Sequence, residues 1–253
     1  MTLLGQVAAT WRYPVKSLQG LPVDELDIGR AGVVGDRAFG LIDQATGLLL
    51  SAKHVRELLE ASATDHTVTL PDGTTHPIGS AATDEALGRW LGRPVTLRRP
   101  EDTGAVRYRM SFGPRGPERR VVDVPTPEGT YLDVAPVHLL TTASLAAGAA
   151  ARPDLDWDVR RFRPNLVVDV PSSGFVEDGW AGLRLRVGEA ELVTEARTLR
   201  CAMPMRAQRG LERTPELFRA LVELNDNHLG LYCQVVTPGR VRVGDAVTAV
   251  TTA

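Results

Sequence analysis

Turn residues punctuate this chain at a spacing that leaves room for many strands and few helices. Residues 67–70 and 74–78 flank Pro71-Asp72-Gly73. That tripeptide favours a tight reversal, because proline presets φ, aspartate bonds nearby backbone and glycine accepts positive φ. Residues 23–28 alternate apolar and polar side chains, the period of a half-buried strand. A strand is also predicted over 6–13, running into Pro14. Gly35-Asp36-Arg37 predicts a turn before a strand over 38–43, and 44–47 a hairpin loop before 48–50. Further on, residues 138–141, 165–170, 183–187, 191–197, 229–236 and 241–250 read as strands, with turns at Pro238-Gly239 and Gly244-Asp245. Four helices are expected. They cover 53–59, a stretch from Thr83 as N-cap to Leu91 before Gly92, 143–150, and a stretch opened by Thr214-Pro215 that ends near Leu224. So many short strands with so few helices predict a mainly β protein whose sheets curl into barrels.

Residues 111–127 change character. They contain Gly113, Pro114, Gly116, Pro117, Pro125 and Pro127, with four charged residues among 115–120. Such composition is typical of linkers and mobile loops. It places a domain boundary near residue 112. The expected organisation is a small β-barrel-like α+β domain over 1–112, followed by a second β-barrel domain with peripheral helices over 113–253.

At 253 residues the chain can bury a substantial core. Its net charge of -2 and its 5% aromatic content supply neither the bulk field nor the stacking surface that nucleic-acid binding uses. The small-apolar run 143–151 is too short to span a bilayer. No basic region followed by a long apolar run stands at the N-terminus, so a cytoplasmic protein is expected, without membrane or nucleic-acid partners. Two cysteines, Cys201 and Cys233, make neither a disulfide scaffold nor a multi-cysteine metal cluster. The five histidines lack ligand spacing, and there is no phosphate-loop, dinucleotide or nucleophile-elbow motif.

Four segments carry chemistry. In 199–204, Cys201 follows Arg200, and a neighbouring cation favours the thiolate, the reactive and metal-binding form. Cys233 lies in a strand-like apolar run and is expected in the core. Tyr13-Pro14-Val15-Lys16-Ser17 offers a cation and a hydroxyl just after a strand, a minimal grip on phosphate. Lys16 and Lys53 are the only lysines beside many arginines, which marks them as places where a compact charge suits better than a planar fork. Arg37 on its turn adds a fork able to hold two phosphate oxygens. Arg163-Pro164-Asn165 precedes an apolar strand, and Asn165 presents the donor and acceptor that match a heterocycle edge.

These segments occur in a recognisable order. With Val176-Glu177-Asp178-Gly179-Trp180 and the closing Arg242-Val243-Gly244-Asp245, the chain resembles, over nearly its full length, MOSC-domain proteins that carry an N-terminal β-barrel domain, a group that includes amidoxime-reducing components and bacterial relatives. The resemblance implies a molybdenum cofactor, a pyranopterin dithiolene with a terminal phosphate. It implies Cys201 as the metal ligand and catalytic residue, with Arg200 beside it. Lys16, Ser17 and Arg37 would hold the phosphate, and Arg163 and Asn165 would contact the pterin. Asp133 matches an acidic position near the same pocket. Better-known members often read Thr-Thr-Val-Asp-Pro after the cysteine, where this chain has Pro204-Met205-Arg206-Ala207-Gln208, so the expected substrate mouth is its own.

The activity expected from the resemblance is two-electron reduction of an N–O bond in an N-hydroxylated small molecule, with electrons from a separate donor protein. Two other readings stay open: a non-catalytic carrier of the molybdenum cofactor, and a sulfur-transfer protein with a persulfide on Cys201. The sequence leaves the oligomeric state open.

Overall fold

The computed structural model describes residues 1–112 and 120–250. The glycine- and proline-rich stretch 113–119 lies outside the described residues. The protein is mainly β. Its largest unit is a closed barrel of seven strands: β1 (Thr2–Arg12), β2 (Val137–Thr141), β3 (Leu166–Asp169), β4 (Arg184–Val187), β5 (Ala190–Leu199), β6 (His228–Thr237) and β7 (Ala246–Val250). Neighbours around the barrel run β3-β2-β6-β5-β4-β7-β1, and β1 closes the ring on β3 through Gln6↔Asp169 and Thr10↔Leu166. Within the barrel only β2 and β3 are parallel neighbours, as the crossover through the helix Thr142–Ala151 requires.

Alternate residues of each strand fill the interior: Val7, Val137 and Leu139, Leu166 and Val168, Leu185 and Val187, Ala190 and Leu192, Leu231 and Cys233, and Val247. Cys233 is in the core, as expected, and burial pushes its thiol up to about 12.

The sheets do not divide where the sequence changes character. The first strand, β1, belongs to the barrel formed by residues beyond 137. Strand Glu25–Gly29 pairs with Gly239–Arg242 from the far end of the chain and joins the same core. The second lobe is built from residues 38–125. A five-stranded sheet (Gly40–Asp43, Leu48–Leu49, Val95–Arg98, Arg107–Phe112, Arg120–Pro125) and a three-stranded meander (Ser62–Ala63, Thr67–Thr69, Thr75–Pro77) share it with helix α1 (Ala81–Leu91). Within the stretch expected as a linker, Arg120–Pro125 is a strand. Arg107–Phe112 and Arg120–Pro125 pair antiparallel from Arg107↔Pro125 to Phe112↔Arg120. The sequence boundary near residue 112 thus falls between two arms of one sheet.

Two helix expectations also shift. Residues 53–59 form no α-helix; a 3-10 turn covers Arg56–Glu60. Helix α1 is capped by Ser80, whose side chain accepts from Thr83 N, so it begins one turn before the expected cap. It ends as expected at Gly92, in the left-handed conformation. Helices α2 (Thr142–Ala151) and α3 (Glu216–Asn225) pack outside the barrel around Leu140, Trp157, Phe162 and Leu217. No helix of the described residues is long and apolar enough to cross a membrane.

Candidate functional site

The chain leaves β1 through Tyr13 and Pro14, and backbone bonds pin this exit to the turn at 35–39. Arg37 N donates to Tyr13 O, Lys16 N to Phe39 O and Phe39 N to Pro14 O. Val15 and Leu18 are fully buried in the core of the second lobe, with Met203 from the turn after Cys201. Ser17 between them takes φ 71. A non-glycine residue there costs about 1–3 kcal/mol, and each buried Val or Leu contributes about 1.5–3 kcal/mol, so the two anchors outweigh the strain. Arg37 (φ 50) and Arg163 (φ 56) share the left-handed conformation. Three of the five non-glycine residues of positive φ among those described are therefore expected site residues.

One cavity at the junction of the lobes gathers what the sequence proposed separately. Lys16, Ser17, Arg37, Asp133, Arg163, Asn165, Arg200 and Cys201 all line it. Cys201 is exposed, not sealed in the core. Lys53, His138, Met203 and Tyr232 also line the cavity, and the residue-by-residue reading assigned them no role there. For Lys53 a signal existed in the rarity of lysine. For His138 and Tyr232, both within strands, only the barrel closure reveals it.

The cations are held by distinct devices. Lys16 Nζ donates to Asp133 Oδ1 at 2.6 Å and to Tyr131 O at 2.7 Å. Lys53 Nζ reaches Asp133 Oδ2 at 3.1 Å, and both ammonium groups lie over the Tyr108 ring. Burial lowers the Lys16 pKa while Asp133 opposes it. For Lys53, Asp133 and Cys201 overcome burial and raise it. Burial alone would raise Asp133, but the two lysines hold its carboxyl well below the usual range.

Arg37 and Arg163 stack on Tyr13, their guanidinium carbons 4.3 and 4.2 Å from its centroid. The ring's negative π faces suit cations of this kind. Gly20 lets the ring lie there, since a Cβ at that position would stand 2.3 Å from Tyr13 Cε1. Arg163 donates to Leu18 O at 2.7 Å; burial, then Arg37, lowers its pKa to about 10, so it stays charged at neutral pH.

Asn165 is committed to the protein. Its Nδ2 donates to Trp11 O and to Asp36 Oδ2, both at 3.2 Å, and its Oδ1 accepts from His138 N at 3.1 Å. Both amide hydrogens are used, so of the mixed edge expected for a heterocycle only acceptor capacity on Oδ1 remains. Asp36 is the hub behind it, accepting also from Tyr13 N at 2.7 Å and from Arg37.

His138 is buried, with Nδ1 at 3.3 Å from Arg163 O and Nε2 at 3.4 Å from Arg200 Nη1. Arg200 can only donate, so Nε2 accepts and the proton sits on Nδ1. Burial and Arg200 push this imidazole down to about 3. Gly230 permits the approach of β6, because a Cβ there would stand 2.6 Å from His138 Nε2. Arg200 donates to Phe162 O at 2.8 Å, and its Nε is buried without a partner.

The segment after Cys201 is fixed from behind by Arg161, which has no exposed surface. Arg161 donates to Pro204 O, Arg206 O and Glu212 O and pairs with Asp156 at 2.9 Å. Arg206, near Cys201 in sequence, instead donates to Lys53 O and ties this turn to the second lobe.

The donor set fits a pterin-phosphate cofactor with a thiolate-bound metal. Among the described residues, five cationic side chains line the cavity (Lys16, Lys53, Arg37, Arg163, Arg200) against one lining carboxylate, Asp133, with Asp36 paired to Arg37 behind the wall, so the walls carry surplus positive charge. Two buried wall atoms, Arg200 Nε and Thr198 Oγ1, lack partners among the described residues. Among the described residues no group of three or more His, Cys, Asp or Glu side chains forms a metal cage. A protein ligand to a cofactor-borne metal would be the single thiol.

Known proteins resemble this chain along its length. The model of the MOSC N-terminal beta barrel domain matches residues 4–86, and that of the MOSC domain matches residues 109–248. Mitochondrial amidoxime-reducing component 1 of Homo sapiens is 24% identical over 286 residues, covering 96% of this chain and 82% of the relative. Its Mus musculus counterpart is 26% identical over 283 residues with the same coverage. The crystal structure of YUAD protein from Bacillus subtilis shares the fold, with TM-score 0.51 at 14% identity over 96% of this chain and 93% of that one. With more than half its length matched by the MOSC domain model and most of the remainder by the N-terminal barrel model, the chain belongs to the MOSC-domain family.

Proposed function

We propose that this protein binds a molybdenum–pyranopterin cofactor in the cavity between its lobes and reduces N–O bonds in small N-hydroxylated molecules. One observation carries the reading: an exposed thiol and five cations from separate stretches of chain face one cavity. The names of the mammalian relatives, amidoxime-reducing components, support the substrate class. When bound, the cofactor supplies a two-electron redox centre. Lys16, Ser17 and Arg37 hold its phosphate. Ser17 Oγ accepts from Ala52 N at 3.0 Å, which leaves its own O–H to donate. Arg163 faces the pterin, and Cys201 binds the metal through its thiolate.

In the overall reaction the N–O bond breaks, an N–H bond forms and water leaves. Two electrons come from a separate donor protein and two protons are consumed. Burial and Arg200 favour a neutral imidazole at His138, and the two lysines favour a carboxylate at Asp133, so neither serves as the acid near neutral pH. Solvent reaches the site on the exposed side of Cys201 and can deliver protons there.

Molybdenum and pterin analysis of the purified protein is expected to find both. Turnover of an N-hydroxylated amidine with a chemical reductant should fall by about a hundredfold or more in Cys201→Ser, with the fold retained. Full activity in a molybdenum-loaded Cys201→Ser protein overturns the ligand assignment. Metal and pterin without turnover on any N–O substrate would mark a carrier. An added mass of about 32 Da on Cys201, removed by reductant, would mark sulfur transfer.

A further inference from the structure

Both lysines of this chain converge on one carboxylate, each taking a different oxygen. Lys16 binds Asp133 Oδ1 and Lys53 binds Asp133 Oδ2. Two adjacent oxygens, each on one ammonium group, is an arrangement that a phosphate reproduces with a larger charge. Lys16 is 5% exposed, and a charge so buried requires an anionic partner. The Asp133 side chain is 39% exposed and stands on the solvent side of Lys16. It belongs to the connection 126–136, which contains neither strand nor helix. That connection is fixed by Tyr131, which is fully buried with its hydroxyl 3.0 Å from Thr103 Oγ1. Beyond this anchor, moving Asp133 breaks no sheet pairing.

We propose that Lys16 and Lys53 form an anion clamp with Asp133 as its built-in counter-ion, and that a phosphate group entering the cavity displaces the Asp133 carboxylate from both lysines. Lys53 thereby becomes a further ligand of the phosphate. This rests on the cofactor reading for the identity of the phosphate, but the exchange itself is a property of the clamp. Asp133 keeps a buried cation pair satisfied and sets a threshold: only an anion of higher charge density than one carboxylate competes well.

The test is calorimetric titration of inorganic phosphate into the full chain produced without cofactor. Asp133→Asn removes the competing charge, so phosphate should bind about tenfold more tightly than to the parent, while Asp133→Glu stays within about twofold. Adding Lys53→Gln to Asp133→Asn should cancel the gain. Circular dichroism verifies the fold of each variant. If Asp133→Asn does not fold, the unsubstituted protein still decides, because lysine 15N labelling yields two side-chain resonances and phosphate should move both. Equal or weaker phosphate binding by folded Asp133→Asn, or phosphate binding that leaves both lysine resonances unmoved, overturns the clamp. Molybdenum and pterin in the purified protein are measured separately. Their absence would sink the cofactor reading and leave the clamp standing, whereas cofactor present with no gain in Asp133→Asn would sink the clamp alone.

Discussion

At His138 the protein holds an imidazole without its charge, between a carbonyl that accepts from one nitrogen and a guanidinium that donates to the other. With its pKa pushed down to about 3, this group binds fewer protons in the folded state than in the unfolded one, where the value is about 6.5. Its contribution to stability is complete above the unfolded value and is lost as pH falls toward about 3, with a slope of at most about 1.4 kcal/mol per pH unit. His138→Gln preserves a donor and an acceptor. It is expected to flatten the pH dependence of the urea midpoint between about pH 4 and pH 7. An unchanged slope would mean that His138 titrates normally. His138 was invisible as a site residue, since one histidine in an apolar run reads as core. Residues standing in short polar segments at strand ends (Lys16, Ser17, Arg37, Arg163, Arg200, Cys201) were legible, because there the chemistry is not masked by packing. The role of Asn165 was not, because which groups an amide meets depends on partners more than a hundred residues away.

At the level of elements, local rules gave strands and caps, and tertiary contacts decided their ends. Helix α2 shows why. Thr141 caps it, accepting from Ser144 N at 3.1 Å, and also donates to Glu177 Oε2 at 2.6 Å. Glu177 is fully buried, and burial raises its pKa although Ser144 and Thr141 oppose the shift. The Val176–Trp180 turn, part of the sequence resemblance, thus fastens the start of α2 to the barrel. Thr141→Val removes both bonds and should destabilise the protein by about 1–3 kcal/mol. The measurement is the urea midpoint at unchanged m-value, and no shift would show that water replaces the hydroxyl. The strand Arg120–Pro125 is hidden in a linker-like composition for a related reason. Glycine and proline mark irregular backbone wherever they cluster, and only the pairing of Arg107–Phe112 with Arg120–Pro125 shows the ordered strands on either side.

Across the whole molecule, the ends of the sequence make one body. β1 pairs with β3 on one side and with β7 on the other, and Glu25–Gly29 pairs with Gly239–Arg242. Alternation of side chains reveals that a segment is a strand and which face is buried, but not which edge it joins. That is why the mainly β class was readable and the interleaving was not. A fragment of residues 109–250 retains the entire MOSC match yet lacks the strand that closes its barrel. Produced alone, it is expected to show no cooperative thermal transition by circular dichroism, whereas the full chain does. A sharp transition in the fragment would show that β3 and β7 can close on each other without β1.

The pairing of both lysines with Asp133 has a practical corollary. Apart from the N-terminus, the described protein offers amine-selective acylating reagents only these two side chains, and both line the candidate site. Reaction of an active ester at Lys53, the more open of the two at 19% side-chain exposure, becomes a footprint of whatever the cavity holds. Mass spectrometry of two peptides then follows occupancy in an unfractionated sample.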